Sequence, residues 1–227
     1  MNKPPVIAID GPSGAGKGTV ASILSETLGY HLLDSGAVYR AAGLHALNSG
    51  ADLDDEASVM ACLESMQASF KPHSNGVRVH LNDVDVTLEL RSEPTAAAAS
   101  KVAAMPRVRA ELLDEQRSFR LTPGLVADGR DMGTAVFPDA NLKVFLSASA
   151  EVRASRRAKQ LKEKGMQVNM ESLIQDIAAR DERDSSRKHS PLVAATDALV
   201  IDSSNLSVST VVQQILAALP ADVGEAT

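Results

Sequence analysis

The sequence predicts an α/β fold in which a parallel sheet lies between two layers of helices. Short apolar runs alternate with segments of helical periodicity along most of the 227 residues, which is the order that strand-helix-strand units produce. The first apolar run, Val6 to Ile9, leads through a glycine-rich segment into a helical pattern. This length suffices for one substantial domain that carries a small insertion.

Composition narrows the class of protein. The net charge of −6 argues against a general nucleic-acid binder, which would usually present a basic surface. Aromatic residues make up 3% of the chain and Trp is absent, so the core must be aliphatic. A single cysteine, Cys62, permits no internal disulfide and fits a reducing compartment. No signal peptide precedes the first strand and no apolar run approaches the roughly 20 residues that span a bilayer. We therefore expect a cytoplasmic protein.

The glycine-rich segment is Gly11-Pro12-Ser13-Gly14-Ala15-Gly16-Lys17-Gly18-Thr19. A strand, a glycine-rich loop and a helix in this order predict a phosphate-binding loop, because the glycines let successive N–H groups point inward and the helix N-terminus adds positive charge. Lys17 supplies a full charge for the β- and γ-phosphates. Gly18 stands where Ser or Thr is commonest, and the hydroxyl comes at Thr19. This ending is more typical of nucleoside monophosphate kinases than of GTPases or motor ATPases.

The pattern continues through the first half of the chain. Gly29 suits the end of the first helix, 19–28, and a buried strand is predicted at 30–33. Helical spacing predicts helices over 37–48 and 54–67. Alternating apolar residues between Val77 and Val86, interrupted by Asn82-Asp83, predict a small hairpin. The hairpin does not continue the strand-helix alternation, so the segment from about 62 to 100 is interpreted as an inserted lobe.

The second half returns to the alternation. Buried strands are predicted at 125–127, 142–146 and 198–201, giving five core strands with the first two. The intervening helices are predicted over 93–104, from Pro106 onward, over the strongly basic segment 150–164 that Gly165 stops, around the apolar stripe 170–177, and over 208–219.

Ligands of such sheets bind beyond the carboxyl ends of the strands, which draws attention to the glycine-rich loop and to segments 34–40, 128–131 and 153–157. Phosphoryl transfer needs positive charge around the transferred group, and arginines occur in these segments. The apolar stripe of the helix around 170–177 continues as Arg180, Asp184 and Arg187. This face either meets a ligand or counter-charge, or is a solvated face with Arg–Asp pairs. Asp128 lies at the end of a strand, where it is either an acid that holds magnesium or an ordinary turn residue.

Three segments in order, Gly11 to Thr19, Leu32 to Arg40 and Asp128 to Thr134, closely resemble the bacterial cytidylate kinase family, and the resemblance covers nearly the whole chain. It implies a P-loop NTPase three-layer αβα fold with a parallel five-stranded core sheet. The implied organisation is a core ATP-binding domain of residues 1–61, 104–152 and 171–227, an NMP-binding insertion of residues 62–103, and a short lid of residues 153–170.

The resemblance also implies residue roles. ATP would bind the loop Gly11 to Thr19. The CMP site would comprise Ser13, Ser35, Tyr39, Arg40, Ser100, Arg109, Arg130, Asp131, Arg180, Asp184 and Arg187. The catalytic residues would be Lys17, Arg130, Arg187, Arg153 and Arg157. Asp131 suits the amine of cytosine, and Arg109 or Ser100 suits its acceptors. Thr19 and Asp128 are expected to hold Mg²⁺, directly or through water.

The implied activity is transfer of the γ-phosphoryl group of ATP to CMP or dCMP by a monomer, with no nucleic-acid or membrane partner. The nearest alternative is a P-loop kinase for another small acceptor, such as UMP, AMP or a metabolite. An ATPase or GTPase switch is a rival of another class, against which Gly18 argues. A non-catalytic nucleotide-binding module would have no need of Lys17, Arg40, Arg130 and Arg187.

Overall fold

The computed structural model describes residues 3–73, 76–163, 167–221 and 223, in which strands and helices alternate. The strands are β1 (Val6–Asp10), β2 (His31–Asp34), β3 (Ala68–His73), β4 (Gly76–Leu81), β5 (Val84–Asp85), β6 (Leu125–Gly129), β7 (Leu142–Ser147) and β8 (Leu199–Asp202). The helices are α1 (Lys17–Leu28), α2 (Ser35–Asn48), α3 (Glu56–Leu63), α4 (Glu93–Val102), α5 (Pro106–Ser118), α6 (Ala150–Glu163), α7 (Met170–Ser185) and α8 (Val208–Ala217).

Five of the strands form one sheet in the order β2-β6-β1-β7-β8. Strand β1 pairs in parallel with β6 and β7, and β7 pairs in parallel with β8. All five residues of β1 are buried, so both faces of this central strand are covered, as is typical of parallel sheets between helices. The predicted α/β class and the five-stranded parallel sheet are confirmed.

The core beside this sheet is aliphatic, as the composition requires. Alternate residues of the central strands, such as Ile7 and Ile9, pack with Leu24 of α1 and Ile215 of α8 in one buried cluster. One of the two tyrosines joins it: Tyr30 is 7% exposed, and its hydroxyl donates to the carbonyl oxygen of Val223 at 2.6 Å. Apolar burial of this kind is the main source of stability for the sheet.

The chain divides into two compact units. The first, here called the sheet unit, comprises Met1–Leu32 and Arg120–Thr227, and the second, called the inserted unit, comprises Leu33–Phe119. The predicted insertion of residues 62–103 lies within the inserted unit, which also includes α2 and α5. The predicted lid begins on α6; Lys164 and Gly165, where its basic helix was expected to end, lie outside the described residues.

Small residues let two helices of the inserted unit approach closely. A Cβ at Gly43 of α2 would lie 2.7 Å from the backbone nitrogen of Ala99 on α4, a distance that no real Cβ contact allows. The neighbouring Ala41, Ala42 and Ala98 are buried. The alanine run of α4 therefore serves close helix packing as well as helix propensity.

The inserted unit also contains a three-stranded antiparallel sheet in the order β3-β4-β5. The predicted hairpin is confirmed, and its turn residues Asn82 and Asp83 have φ values of 48° and 65°, which suit a tight hairpin turn. Strand β3 was not predicted. Helix α3 ends at Leu63 instead of Gln67, and β3, which begins at Ala68, pairs with β4.

Candidate active site

The glycine-rich loop joins β1 to α1 with the backbone conformation that a phosphate-binding loop requires. Gly14 and Gly16 have φ values of 80° and 99°, in the region that favours glycine. Gly11, with a φ of 149°, is also fixed by space, since a Cβ there would lie 2.0 Å from the carbonyl oxygen of Leu146. Helix α1 begins at Lys17, so its positive end adjoins the loop.

Lys17 lies beneath this loop with its side chain 6% exposed. Its Nζ donates to the carbonyl oxygen of Pro12 at 3.1 Å and lies 3.7 Å from Oδ1 of Asp128. Burial lowers the pKa of Lys17 to about 8; Arg130 adds to this shift, and the carboxylates of Asp128 and Asp10 oppose it. A negatively charged phosphate beside this ammonium would favour its charged form.

Gly18 faces the carboxylate of Asp128. A methyl group at this position would lie 3.4 Å from Oδ2 of Asp128, in van der Waals contact with a carboxylate that already faces Lys17. The hydroxyl that other phosphate-binding loops carry here comes one residue later, at the exposed Thr19.

Asp128 lies near the end of β6 and its side chain is 15% exposed. Hydroxyl and carboxylate oxygens are hard donors of the kind that Mg²⁺ prefers, so Thr19 and Asp128 fit this ion.

An ion-pair cluster with little solvent exposure lies in the sheet unit and consists of Arg130, Asp184 and Arg187. Oδ2 of Asp184 accepts from Nε of Arg130 at 3.0 Å, and Oδ1 accepts from Nη2 of Arg187. The Asp184 side chain is 2% exposed. Burial alone would raise the pKa of Asp184, but the charges of Arg130 and Arg187 outweigh it and hold the pKa below its ordinary value. Arg180 acts in the same direction.

This cluster decides between the two interpretations of the α7 face. Ile177 and Asp184 are both buried, so the apolar stripe and its charged continuation turn the same way. A solvated face is excluded at Asp184, whose counter-charge Arg130 comes from the segment after β6. Arg130 of this cluster and the neighbouring Arg180 both contribute to the lowered pKa of Lys17, so the cluster and the loop lysine act on one another electrostatically.

Asp131 is 2% exposed and opens a single π-helical turn, Met132–Val136. The two carboxylate oxygens of Asp10, at the end of β1, accept from the backbone N–H groups of Met132 and Gly133 at 2.7 and 2.8 Å. Burial raises the pKa of Asp10 to about 6. Asp10 thus holds the turn that follows Arg130 and Asp131. Sequence reasoning did not select it, although an acid that ends a wholly apolar strand is an available signal.

The arginines of α6 differ in what they contact. The Arg153 side chain is 6% exposed; it donates to the carbonyl oxygens of Ala148 and Ser13 at 2.9 and 3.2 Å and pairs with Asp181 at 2.6 Å. Arg157 donates to Oε1 of Gln160, one turn along its own helix, at 3.5 Å. The guanidinium of Arg153 is therefore engaged with the loop backbone. Arg156, which the sequence analysis did not assign, also contacts this loop.

In the inserted unit, the segment after β2 is held by its own side chains and by Gln116 of α5. Asp34 caps α2 by accepting from the N–H of Ala37 at 2.9 Å, and its Oδ2 lies 3.9 Å from the Arg40 guanidinium. The buried Ser35 hydroxyl donates to Oε1 of Gln116 at 2.8 Å. Gln116, which is 1% exposed, holds the Ser35 side chain, and sequence reasoning missed it because the two residues are 81 positions apart.

Three predicted site residues lie on neighbouring helices of the inserted unit. The Arg109 guanidinium lies over the Tyr39 ring, 5.5 Å from its centroid, in the geometry of a cation–π contact. Arg109 also donates to the carbonyl oxygen of Ala103 at 3.2 Å. The hydroxyl of Ser100 is buried and has no hydrogen-bond partner among the described residues. A buried hydroxyl in this state is suited to a ligand.

Within the sheet unit, the structure thus brings Lys17, Asp128, Arg130, Arg180, Asp184 and Arg187 into mutual electrostatic range. Within the inserted unit, it brings Tyr39 and Arg109 together. In the described part of the chain, no helix is both long enough and apolar enough to cross a bilayer.

Comparisons with known proteins identify the family of this chain. The family model described as cytidylate kinase matches residues 7–221. A cytidylate kinase of Aeromonas salmonicida (strain A449) is 52% identical over 223 residues, which cover 98% of this chain and 97% of that protein. One of Photobacterium profundum is 53% identical over 213 residues, covering 94% and 93%. An uncharacterized protein from Eubacterium ventriosum ATCC 27560 shares the fold, with a TM-score of 0.50 at 15% identity over 95% of this chain and 97% of its own. On its sequence, the chain belongs to the cytidylate kinase family.

Proposed function

We propose that this member of the cytidylate kinase family transfers the γ-phosphoryl group of ATP to CMP or dCMP, giving ADP and CDP or dCDP. The relatives named above support a cytidylate acceptor, and a kinase for another small acceptor is not favoured. The observation that carries the proposal is a cationic group in the sheet unit: the buried Lys17 at the start of α1, with Arg130 and Arg187, which share the carboxylate of Asp184.

That cationic group suits a phosphoryl-transfer transition state, in which negative charge is spread over the oxygens of the transferred group. Arg130 and Arg187 share one carboxylate, so the Arg130–Asp184–Arg187 cluster keeps a net positive charge while its members are held in place. Fixed charges need no reorganisation during the reaction, which makes them effective. In this proposal Lys17, Arg130, Arg187, Arg153 and Arg157 are the catalytic residues. Lys17 and the two cluster arginines stabilise the transferred group.

The loop Gly11 to Thr19 is proposed to bind the donor. Its glycines permit inward-pointing N–H groups, and the N-terminus of α1 adds the positive end of the helix dipole. Lys17 would contact the β- and γ-phosphates. Thr19 and Asp128 would hold Mg²⁺, directly or through water. When bound, this ion neutralises charge on the phosphates and orients them.

The acceptor is proposed to contact a set of polar and charged side chains. The set is Ser13, Ser35, Tyr39, Arg40, Ser100, Arg109, Arg130, Asp131, Arg180, Asp184 and Arg187. For the base, the buried acceptor Asp131 suits the exocyclic amine of cytosine, whereas the carbonyl of uracil would meet it unfavourably. The free hydrogen-bonding capacity of the Ser100 hydroxyl and the donors of Arg109 suit the acceptors of the base.

The proposed chemistry is direct in-line attack of a CMP phosphate oxygen on the γ-phosphorus of ATP. The phosphate is already an anionic nucleophile, so no general base and no covalent enzyme intermediate are needed. The chain's part is to align the two substrates, to stabilise charge and to exclude water. Residues 153–170 are proposed as a lid for this last purpose, residues 62–103 as the NMP-binding insertion and residues 1–61, 104–152 and 171–227 as the ATP-binding core. A cytoplasmic monomer is proposed.

The test is the initial rate of ADP formation from Mg-ATP with CMP, dCMP, UMP, AMP and GMP in turn. We expect CMP and dCMP to give the highest kcat/KM, and a Lys17→Met variant to be inactive with every acceptor. A preference for another monophosphate would overturn the acceptor assignment and leave the phosphoryl-transfer chemistry standing. ADP formation at an undiminished rate without any acceptor would instead support an ATPase. Light scattering of the same sample tests the monomer.

A further inference from the structure

The carbonyl oxygen of Ala15, in the middle of the glycine-rich loop, accepts two side-chain hydrogen bonds. Nη1 of Arg156 on α6 donates at 3.1 Å, and the hydroxyl of Ser203, just after β8, donates at 3.0 Å. The two donors are also bonded to each other, since Nη1 of Arg156 lies 3.2 Å from Oγ of Ser203 and Nη2 donates to the Ser203 carbonyl at 2.8 Å. We call Arg156 and Ser203 the Ala15 clamp.

The Ala15 clamp is itself anchored to the sheet. The backbone N–H of Ser203 donates to the carbonyl oxygen of Ser147, at the end of β7, at 2.8 Å. The single proton of the Ser203 hydroxyl is shared between this oxygen, at 2.9 Å, and the carbonyl oxygen of Ala15, at 3.0 Å. Ser203 is 3% exposed. A buried hydrogen-bond network in which each member is satisfied restricts motion more than isolated contacts do. The loop carbonyl is therefore tied, through the clamp, to the carboxyl ends of two core strands.

Fixing this carbonyl also fixes an N–H group. The peptide bond is planar and trans, so the N–H of Gly16 points opposite to the carbonyl of Ala15. Arg153 acts in the same way on the preceding Gly14 N–H, because it donates to the carbonyl oxygen of Ser13 at 3.2 Å. Both carbonyls are thus held toward α6, and the N–H groups of Gly14 and Gly16 point to the other side of the loop. Inward-pointing N–H groups are what a phosphate-binding loop uses to hold phosphates.

We propose that Arg156 and Ser203 are positioning residues for the phosphates of the donor, acting through the Ala15 carbonyl and not by contact with the nucleotide. This inference rests on the proposed function for its donor, ATP, and adds to it the source of the loop's rigidity. A loop already held in its binding conformation loses little conformational freedom when the phosphates bind, which strengthens binding.

The test measures the dissociation constants of ATP and of inorganic tripolyphosphate by calorimetry, without an acceptor, for the wild type and for Arg156→Met, Arg156→Lys and Ser203→Ala. The control is Arg183→Met, an exposed arginine on α7 outside the proposed lid. We expect Arg156→Met to raise the dissociation constants of both ligands by the same factor, about 10-fold, which corresponds to the loss of one hydrogen bond. The KM for CMP should stay within about twofold of the wild type, as for the control.

The milder variants keep the proposal testable if Arg156→Met does not fold. Arg156→Lys retains the positive charge but replaces the guanidinium, with its two Nη atoms, by a single ammonium nitrogen. We therefore expect it to lose less affinity for ATP than Arg156→Met does. In the double variant Arg156→Lys/Ser203→Ala, the dissociation constant of ATP should increase by less than the product of the two single increases, because the two residues act as a unit.

Three outcomes would overturn the proposal. The first is an ATP affinity in Arg156→Lys and Ser203→Ala that stays within twofold of the control. The second is a loss for ATP without a loss for tripolyphosphate, which would mean a direct contact with the nucleoside. The third is a KM for CMP that increases by the same factor as the dissociation constant of ATP, which would mean a general structural defect. If the acceptor panel fails while the tripolyphosphate result holds, the clamp stands and the proposed acceptor does not.

Discussion

Arg130 donates from Nε to Oδ2 of Asp184 at 3.0 Å, although the two residues are 54 positions apart in the chain. One follows a core strand and the other lies in the last turn of α7. The contact makes Asp184 the shared counter-charge of two arginines that are proposed to bind phosphate. Its carboxylate therefore matters to the stability of the fold as well as to the site.

Replacement of Asp184 by Asn should destabilise the protein. It leaves two poorly exposed guanidinium groups without their carboxylate, and breaking a buried pair of this kind costs about 3 kcal/mol or more. The pKa of Asp184 is lowered in the folded state, so its stabilisation is present above the unfolded-state value near 3.9 and is lost as the pH falls through the folded-state value. Urea unfolding at pH 7 and at decreasing pH measures both effects.

The control for this prediction is Asp176→Asn, an exposed acid on the same helix. We expect it to change the free energy of unfolding by less than about 0.5 kcal/mol. A difference between Asp184→Asn and wild type that does not shrink in acid would contradict the electrostatic explanation.

Lys17 should make donor binding depend on pH. Its pKa of about 8 is below the ordinary lysine value because it is buried, and only the charged form attracts phosphate. The dissociation constant of ATP, measured by calorimetry without divalent metal, should therefore rise as the pH increases through about 8. Asp128 raises the pKa of Lys17, so Asp128→Asn should move this midpoint to lower pH. An unchanged or higher midpoint in the variant would contradict the assignment.

Asp131 should determine acceptor preference. Substitution by Ala removes a buried acceptor that is proposed to bind the cytosine amine, and the loss of such a bond commonly costs about 1–3 kcal/mol. We expect kcat/KM for CMP to fall about 10- to 100-fold while that for UMP falls less, so that the ratio of the two decreases. Asp197→Ala, at an acid whose side chain is 61% exposed, is the matched control. A ratio that is retained in Asp131→Ala would locate base selection elsewhere.

Asp10 should give the stability an opposite pH dependence to that of Asp184. Burial raises its pKa from 3.8 to about 6, so between these values the folded protein binds more protons at this group than the unfolded chain does. Its contribution to the free energy of unfolding therefore decreases as the pH rises from about 4 to 6. Asp10→Asn lacks this titration, and its free energy of unfolding should depend on pH in this range with a more positive slope than that of the wild type. Parallel slopes would contradict the raised pKa.

The local parts of the fold could be predicted from the sequence because their signals are local. Apolar runs with turn residues identified the core strands, and the glycine pattern with its flanking strand and helix identified the phosphate-binding loop. Strand β3 could not be found in this way. It contains Pro72, which weakens a strand pattern, and it is stabilised by its pairing with β4, a tertiary contact.

For the site residues, too, the prediction depended on whether the signal was local in the sequence. Lys17, the arginines and Asp184 were selected because they lie in or beside recognisable segments. Asp10 and Ser203 were not selected, since the bonds from Asp10 to the 132–133 turn and from Ser203 to the loop connect positions more than 120 residues apart. The α7 face remained ambiguous for the same reason, because its meaning depends on Arg130.

Gly11 makes the start of the loop intolerant of mutation. Every missense change of a glycine codon introduces a Cβ, and at this position that atom would lie 2.0 Å from the Leu146 carbonyl oxygen of a core strand. We expect saturation mutagenesis to find no functional replacement there. At Gly50, a Cβ would meet no atom within 4 Å and φ is 68°, so Asn, which adopts such angles, should be accepted. Two glycines with positive φ thus differ in the variation that a population of this enzyme's genes can carry.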